Sequence, residues 1–157
     1  MRKMLLIPLI VCMVVLLSTL SMPAVSAKPM KPLRYEASGY GTGYGWFGTI
    51  TSGDLAGYTG IWVTLVLDFK EDNVYFYEEW FIGDGIGYVE GEVTGDVVLA
   101  GWDEGVTRFE NGKFTGNGRV TDASEDYTHL IGRKEHLSGT VYDWGPPPLF
   151  TGTLQIN

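Results

Sequence analysis

The segment Ile61–Ile82, "IWVTLVLDFKEDNVYFYEEWFI", decides the fold class. Two runs rich in β-branched and aromatic residues flank the polar stretch Lys70–Asn73. That is the signature of a β-hairpin. A two-residue turn at Glu71-Asp72 and a four-residue turn at Lys70–Asn73 give one register, in which paired residue numbers sum to 143. Phe69 then faces Val74, Leu67 faces Phe76, Leu65 faces Glu78 and Val63 faces Trp80. Side chains alternate faces along a strand. Ile61, Val63, Leu65, Leu67, Phe69, Val74, Phe76, Trp80 and Ile82 therefore share one apolar face, with Leu65, Leu67 and Phe76 expected in the core. The other face pairs Asp68 with Tyr75, Val66 with Tyr77, Thr64 with Glu79 and Trp62 with Phe81.

Glu78 is the single charge on the apolar face. A carboxylate held there has its pKa raised by desolvation, which suits general acid–base work. Two bland arrangements compete with that reading. A bulge at Glu78-Glu79 would turn both acids to solvent, or an inward Glu78 would find a partner such as Arg108 or Tyr142.

Outward from this hairpin, short β-rich runs recur between Gly, Asn-Gly and Asp-Gly signals. They are Arg34–Gly39, Gly45–Thr51, Gly87–Val93, Asp96–Gly101, Val106–Glu110, Lys113–Val120, His136–Tyr142 and Leu149–Ile156. About ten strands spaced roughly 8–12 residues apart predict an all-β fold, a single antiparallel barrel of about 8–10 strands, with a β-sandwich as the alternative. Helix is expected only as one short turn near Ala123–Tyr127. Glycines inside strands suit a strongly curved sheet.

The stretch Tyr40–Thr49, "YGTGYGWFGT", holds four aromatics and four glycines in ten positions. Taken as a strand, Tyr40, Thr42, Tyr44 and Trp46 share one parity, and the other is bare until Phe47. Such a strand lies with its bare side against a crowded wall. Its rings, with Trp62, Tyr75, Tyr77, Phe81, Trp102 and Trp144, are either core packing or a ligand surface. Tyr44, Trp46, Trp62, Glu78 and Trp80 are the candidate ligand-binding residues.

The first 27 residues have a different character. Arg2 and Lys3 precede the apolar run Met4–Leu20, and Val25-Ser26-Ala27 offers small residues before Lys28. That is the layout of a secretory signal peptide cleaved after Ala27. The run is short for a spanning helix, which needs about 20 residues; an uncleaved, outward-facing anchor is the alternative. Residues 28–157 then form one barrel domain behind a short arm, Lys28–Pro32, and no membrane contact is expected after cleavage. The one cysteine, Cys12, leaves with the leader, so the mature chain has neither disulfide nor thiol chemistry. Nine basic residues then stand against 19 acidic ones, a net charge of −10. An acidic surface repels phosphate backbones, which argues against a nucleic-acid partner.

No metal site or cofactor is expected. His129 and His136 lie seven apart without a second cluster. Gly83–Gly87 ("GDGIG") and Asp122–Asp126 ("DASED") lack the spacing of a calcium loop and read as turns. There is no G-x-S-x-G elbow, and His136 and Ser138 have no third partner.

Residues Phe114–Val141, "FTGNGRVTDASEDYTHLIGRKEHLSGTV", and Phe150–Ile156, "FTGTLQI", resemble the closing strands of the allene oxide cyclase-like and dirigent-like β-barrels. The match is partial: Val120 stands where Phe is usual and Ser124 where Gly is usual. The resemblance implies a closed eight-stranded barrel with an apolar lumen and transfers no catalytic residue. Four functions compete: a secreted barrel binding an apolar or amphipathic small molecule in its lumen, a glycan-binding domain, a barrel enzyme using Glu78, and a structural or adhesive surface domain that stands only slightly behind the first.

Overall fold

The computed structural model describes residues 31–157. The expected leader, its cleavage point and most of the arm lie outside them. Eight strands follow one another: β1 (Leu33–Thr42), β2 (Gly45–Ile50), β3 (Thr59–Lys70), β4 (Asn73–Val89), β5 (Glu92–Arg108), β6 (Lys113–Ala123), β7 (Lys134–Asp143) and β8 (Leu149–Ile156). Each pairs antiparallel with the next, and β8 returns to β1, closing the barrel. Closure leaves no sheet edge unpaired around the ring. One short 3-10 helix, Glu125–Leu130, interrupts the meander slightly later than the turn expected at Ala123–Tyr127. Among the described residues no helix is long and apolar enough to cross a membrane.

Ten expected strands become eight because Gly83, Gly87 and the Asp103–Gly105 region do not end strands. The register shifts at Ile82/Gly83 and Asp84/Gly87, and the chain runs on. Gly85 and Gly95 take left-handed φ values of 60° and 95°, so β4 and β5 bend rather than stop. Their tip turns through Glu90-Gly91, both at positive φ, as a tight two-residue hairpin requires. The bent arm packs Ile86, Tyr88 and Val93 against Ile61, Val63, Phe47 and Phe81, a cluster separate from the barrel core.

The β3–β4 hairpin keeps its expected register from Lys70↔Asn73 to Val66↔Tyr77. There Leu65 is bulged out, and Thr64, not Leu65, faces Glu78. A bulge adds one residue to one strand and exchanges the faces beyond it. Trp62 and Thr64 consequently turn inward with Trp80 and Glu78. Ile61 and Val63 turn outward, beneath the β4–β5 arm. The expected single apolar face is thus split. Leu65 and Leu67 are not core: they are 52% and 53% exposed, because the hairpin tip stands clear of the barrel. Phe76 points inward and is half-buried.

The stretch Tyr40–Thr49 is likewise not one strand. It is the tip of the β1–β2 hairpin, turning at Gly43-Tyr44. Reversal of the chain separates the residues expected on one face. Tyr40 stacks on Phe47 with ring centres 6.3 Å apart, while Trp46 pairs with Gly41 on the inner face.

Large rings and missing side chains interlock inside the barrel. A Cβ on Gly60 would lie 2.6 Å from the Trp62 ring, one on Gly105 2.6 Å from Phe76, and one on Gly41 2.9 Å from Trp46. Each inward glycine therefore makes room for a ring. Gly105→Ala is expected to destabilise the barrel by about 1–3 kcal/mol, since Phe76 and the β6 backbone already occupy the space. Urea unfolding of the variant measures it; a change within about 0.5 kcal/mol would mean the ring moves aside freely.

One end of the barrel is solid. Tyr35, Ile50, Leu55, Leu99, Leu130 and Ile156 fill it, and Tyr127 donates a 2.8 Å hydrogen bond to Asp54, joining the 3-10 helix to the β2–β3 loop. The other end, ringed by the β1–β2, β3–β4, β5–β6 and β7–β8 turns, is open.

Candidate functional site

The open end leads into a cavity of about 280 Å³. Its wall is rich in aromatic rings. Phe150 receives Trp46, Trp62 and Phe114 edge-on at 5.4, 5.8 and 6.4 Å. Phe76 and Leu137 extend the wall, and Phe69, Phe109 and Trp144 stand at the rim. Edge-to-face pairs fix these rings against one another, so the cavity is built before any ligand arrives. The rim turns carry Asp68, Glu71, Asp72, Glu110 and Asp143 against Lys70, Arg108 and Lys113.

Glu78 lines this cavity and is 3% exposed. The Thr64 hydroxyl donates to its Oε2 at 3.5 Å, a long contact across the strand pair. Two further acids lie close behind. Asp103, fully buried, is the direct cross-strand neighbour of Glu78. Glu135, 2% exposed, sits on β7 in register with Gly118, which also faces Asp103. Two glycines, Gly116 and Gly118, give β6 no side chain at this level. A Cβ at Gly116 would come within 3.2 Å of Asp103 Oδ1. That empty strip lets carboxyls from β4, β5 and β7 share one region.

Among the described residues no basic side chain pairs with them. The ion pairs among the described residues are Arg34–Glu36 and Lys70–Asp68, both on the surface. Neither oxygen of Asp103 nor of Glu135 has a hydrogen-bond partner, and the indole N–H groups of Trp62 and Trp80 are also unpartnered. Burial penalises the charged form of all three acids. It lifts Asp103 to about 7. Burial and the nearby charges of Asp103 and Glu78 push Glu135 up to about 9. Burial, then repulsion from Asp103, holds Glu78 well above the ordinary carboxyl range, and the Thr64 contact only partly offsets this. These acids therefore keep protons to higher pH than exposed carboxyls do, and a protonated carboxyl can donate a hydrogen bond as well as accept one.

Of the five residues expected to bind ligand, Tyr44, Trp46, Trp62 and Glu78 line the cavity. Tyr44 does so at the rim, its ring 5.8 Å from Tyr88 of the arm. Trp80 is buried beneath, two residues from Glu78 on the same face, and is not part of the wall. Neither Arg108 nor Tyr142 partners Glu78. Asp103 and Glu135 were not among the sequence candidates. Glu135 shares the inward parity of Leu137, Gly139 and Val141, a signal in "KEHLSGTV"; Asp103, between two strand glycines, is marked only by the continuity of β5.

The other candidates lie apart. His136 Nδ1 meets Asn117 Oδ1 at 3.0 Å on the outer surface. No group of three or more potential metal ligands forms among the described residues. Outer rings stack in separate pairs, Tyr40–Phe47 on β1 and β2 and Tyr77–Trp102 on β4 and β5. Comparison with protein-family models, curated proteins and solved structures finds no match.

Proposed function

We propose that this barrel is a secreted binder of a small amphipathic molecule, whose apolar body fills the lumen and whose polar end meets Glu78. The observation that carries this reading is a preformed aromatic cavity with one carboxyl at its floor. An inert surface domain has no need to keep such a space open, since filling it with side chains would add stability. At about 280 Å³ the cavity lies at the small end of ligand pockets, so the ligand is small. Secretion rests on the leader-like first 27 residues, and the likeness to allene oxide cyclase-like barrels is carried only as an analogy of fold.

Titration with the neutral dye N-phenyl-1-naphthylamine tests the reading, with the dye's own emission as the signal. Saturable one-to-one binding is expected. Thr107→Trp, which places an indole in the cavity from its wall, should weaken it about tenfold or more. Dye emission that never saturates, or that ignores Thr107→Trp, would favour the structural domain.

A second reading has one observation behind it. The carboxyl of Glu78, its pKa raised by burial and by Asp103 beside it, is placed to protonate a bound substrate. It becomes the better reading if a bound ligand emerges chemically changed and Glu78→Gln stops the change.

A further inference from the structure

We infer that the ligand is an apolar amine, bound as its ammonium ion at Glu78 with Asp103 and Glu135 behind it. This rests on the lumen-binding reading above and names the polar end that the cavity selects. The first ground is charge. Three buried acids converge from β4, β5 and β7, and among the described residues no lysine or arginine pairs with any of them. Burying acids without a cation is costly, and sequences keep such groups where they serve a site. An ammonium supplies the missing charge and up to three N–H donors.

The second ground is the wall. Trp62 and Phe76 stand on the inner face within two residues of Thr64 and Glu78, and both line the cavity. Aromatic faces beside a carboxylate attract cations. Trp62 is itself buried, so the cavity it lines is shielded from solvent, where a cation–π contact is stronger. The third ground is exclusion. A carboxylate ligand would be repelled by any ionised member of the trio. An alcohol could accept a hydrogen bond from Glu78 but would leave an ionised Asp103 uncompensated.

The groups facing Glu78 set the pH behaviour. β3 presents Thr64, β5 presents Asp103 and β7 presents Glu135. At this level β6 offers only Gly116 and Gly118. When the ammonium enters, one carboxyl O–H gives its proton to the buffer, and an N–H of the ligand takes that place. Amine binding therefore strengthens as pH rises from 5 to 8. It weakens only when the amine loses its own proton, near pH 10 for an alkylamine.

Competition against N-phenyl-1-naphthylamine on the purified protein tests this with octylamine, 1-octanol and octanoate at pH 6 and pH 8. At pH 8 octylamine is expected to displace the dye at about tenfold lower concentration than octanol, with octanoate weakest. Octylamine binding should fall several-fold at pH 6, octanol binding should not, and calorimetry in two buffers should register proton release. Glu78→Gln and Asp103→Asn should each erase the preference for the amine. Octanol binding as tightly as octylamine would overturn the amine inference and leave the lumen reading standing. An amine preference that is independent of pH and unmoved by Asp103→Asn would also overturn it, since the acids would not be its cause. If no octyl compound displaces the dye and the dye itself does not saturate, the lumen reading falls and the inference with it. The comparison of ligands on the unaltered protein decides even if a variant fails to fold.

Discussion

Raising the pH from 5 to 9 is expected to lower the free energy of unfolding by about 4 kcal/mol or more. The sign follows from the three buried carboxyls. In the unfolded chain Asp103 and the two glutamates ionise near pH 4. In the barrel Asp103 holds its proton to about 7, Glu135 to about 9, and Glu78 is also raised well above its ordinary value. Between these limits the folded protein binds more protons than the unfolded chain, so stability is full below about pH 4 and falls as pH rises. Each group contributes about 1.4 kcal/mol per pH unit while it remains protonated only in the barrel. One such group acting over three units already gives about 4 kcal/mol. Three acting in full would exceed the stability of an ordinary domain, about 5–15 kcal/mol, so water or a bound cation must relieve part of the cost at high pH. Urea unfolding at pH 5, 7 and 9 measures the effect. Asp103→Asn should flatten the limb below pH 7, and Glu135→Gln should flatten the limb that continues toward 9. A level profile in the unaltered protein would mean that the trio is hydrated in the barrel. A bound cation would then relieve no desolvation cost at these acids.

The barrel itself was legible because its strands carry their own punctuation. Alternation of β-branched and aromatic residues gave the runs, and Glu71-Asp72 gave a turn whose register holds over the outer half of the hairpin. Legibility failed where one residue was added. Nothing in "TLV" marks Leu65 as bulged, yet that residue exchanges the inner and outer faces of Ile61–Thr64. Glu78 stayed inward because the bulge lies on β3 and leaves the alternation of β4 intact. The aromatic stretch at Tyr40–Thr49 misled for a similar reason: Gly43-Tyr44 is a turn without Asn, Asp or Pro, so its residues read as strand. Glycines carried two messages that sequence alone does not separate. Gly83 and Gly87 bend a strand that continues, whereas Gly116 and Gly118 empty one strip of the lumen. The acid trio was invisible for that reason. Asp103 and Glu135 are 32 residues apart, and they share a region only because Gly118 lies between them in register.

Trp80→Ala is expected to cost about 3–5 kcal/mol at pH 5 and, separately, to reduce the pH dependence of stability. The first effect is the ordinary cost of emptying a buried ring site. Trp80 is the largest of the fully buried side chains. It lies two residues below Glu78 and two above Ile82 on the inner face of β4, between the open cavity and the solid end. Its cross-strand neighbour is Gly101, where a Cβ would come within 2.6 Å of the indole Cε2, so the opposite strand cannot collapse inward to replace the ring. The second effect follows from position. The indole is a large part of the low-dielectric floor beside the carboxyls, and its N–H makes no hydrogen bond to them. Its removal joins new space to the cavity and admits water to a polar neighbourhood, where water is held well. Hydrated carboxyls ionise more easily, their pKa values move back toward 4, and the stability lost between pH 5 and 9 shrinks. Trp80→Phe, which keeps a ring, should retain most of the pH dependence. Unfolding of the three proteins at pH 5 and 9 separates the two effects. If Trp80→Ala is weakened equally at both pH values, the trio is desolvated by the rest of the barrel and Trp80 serves packing alone.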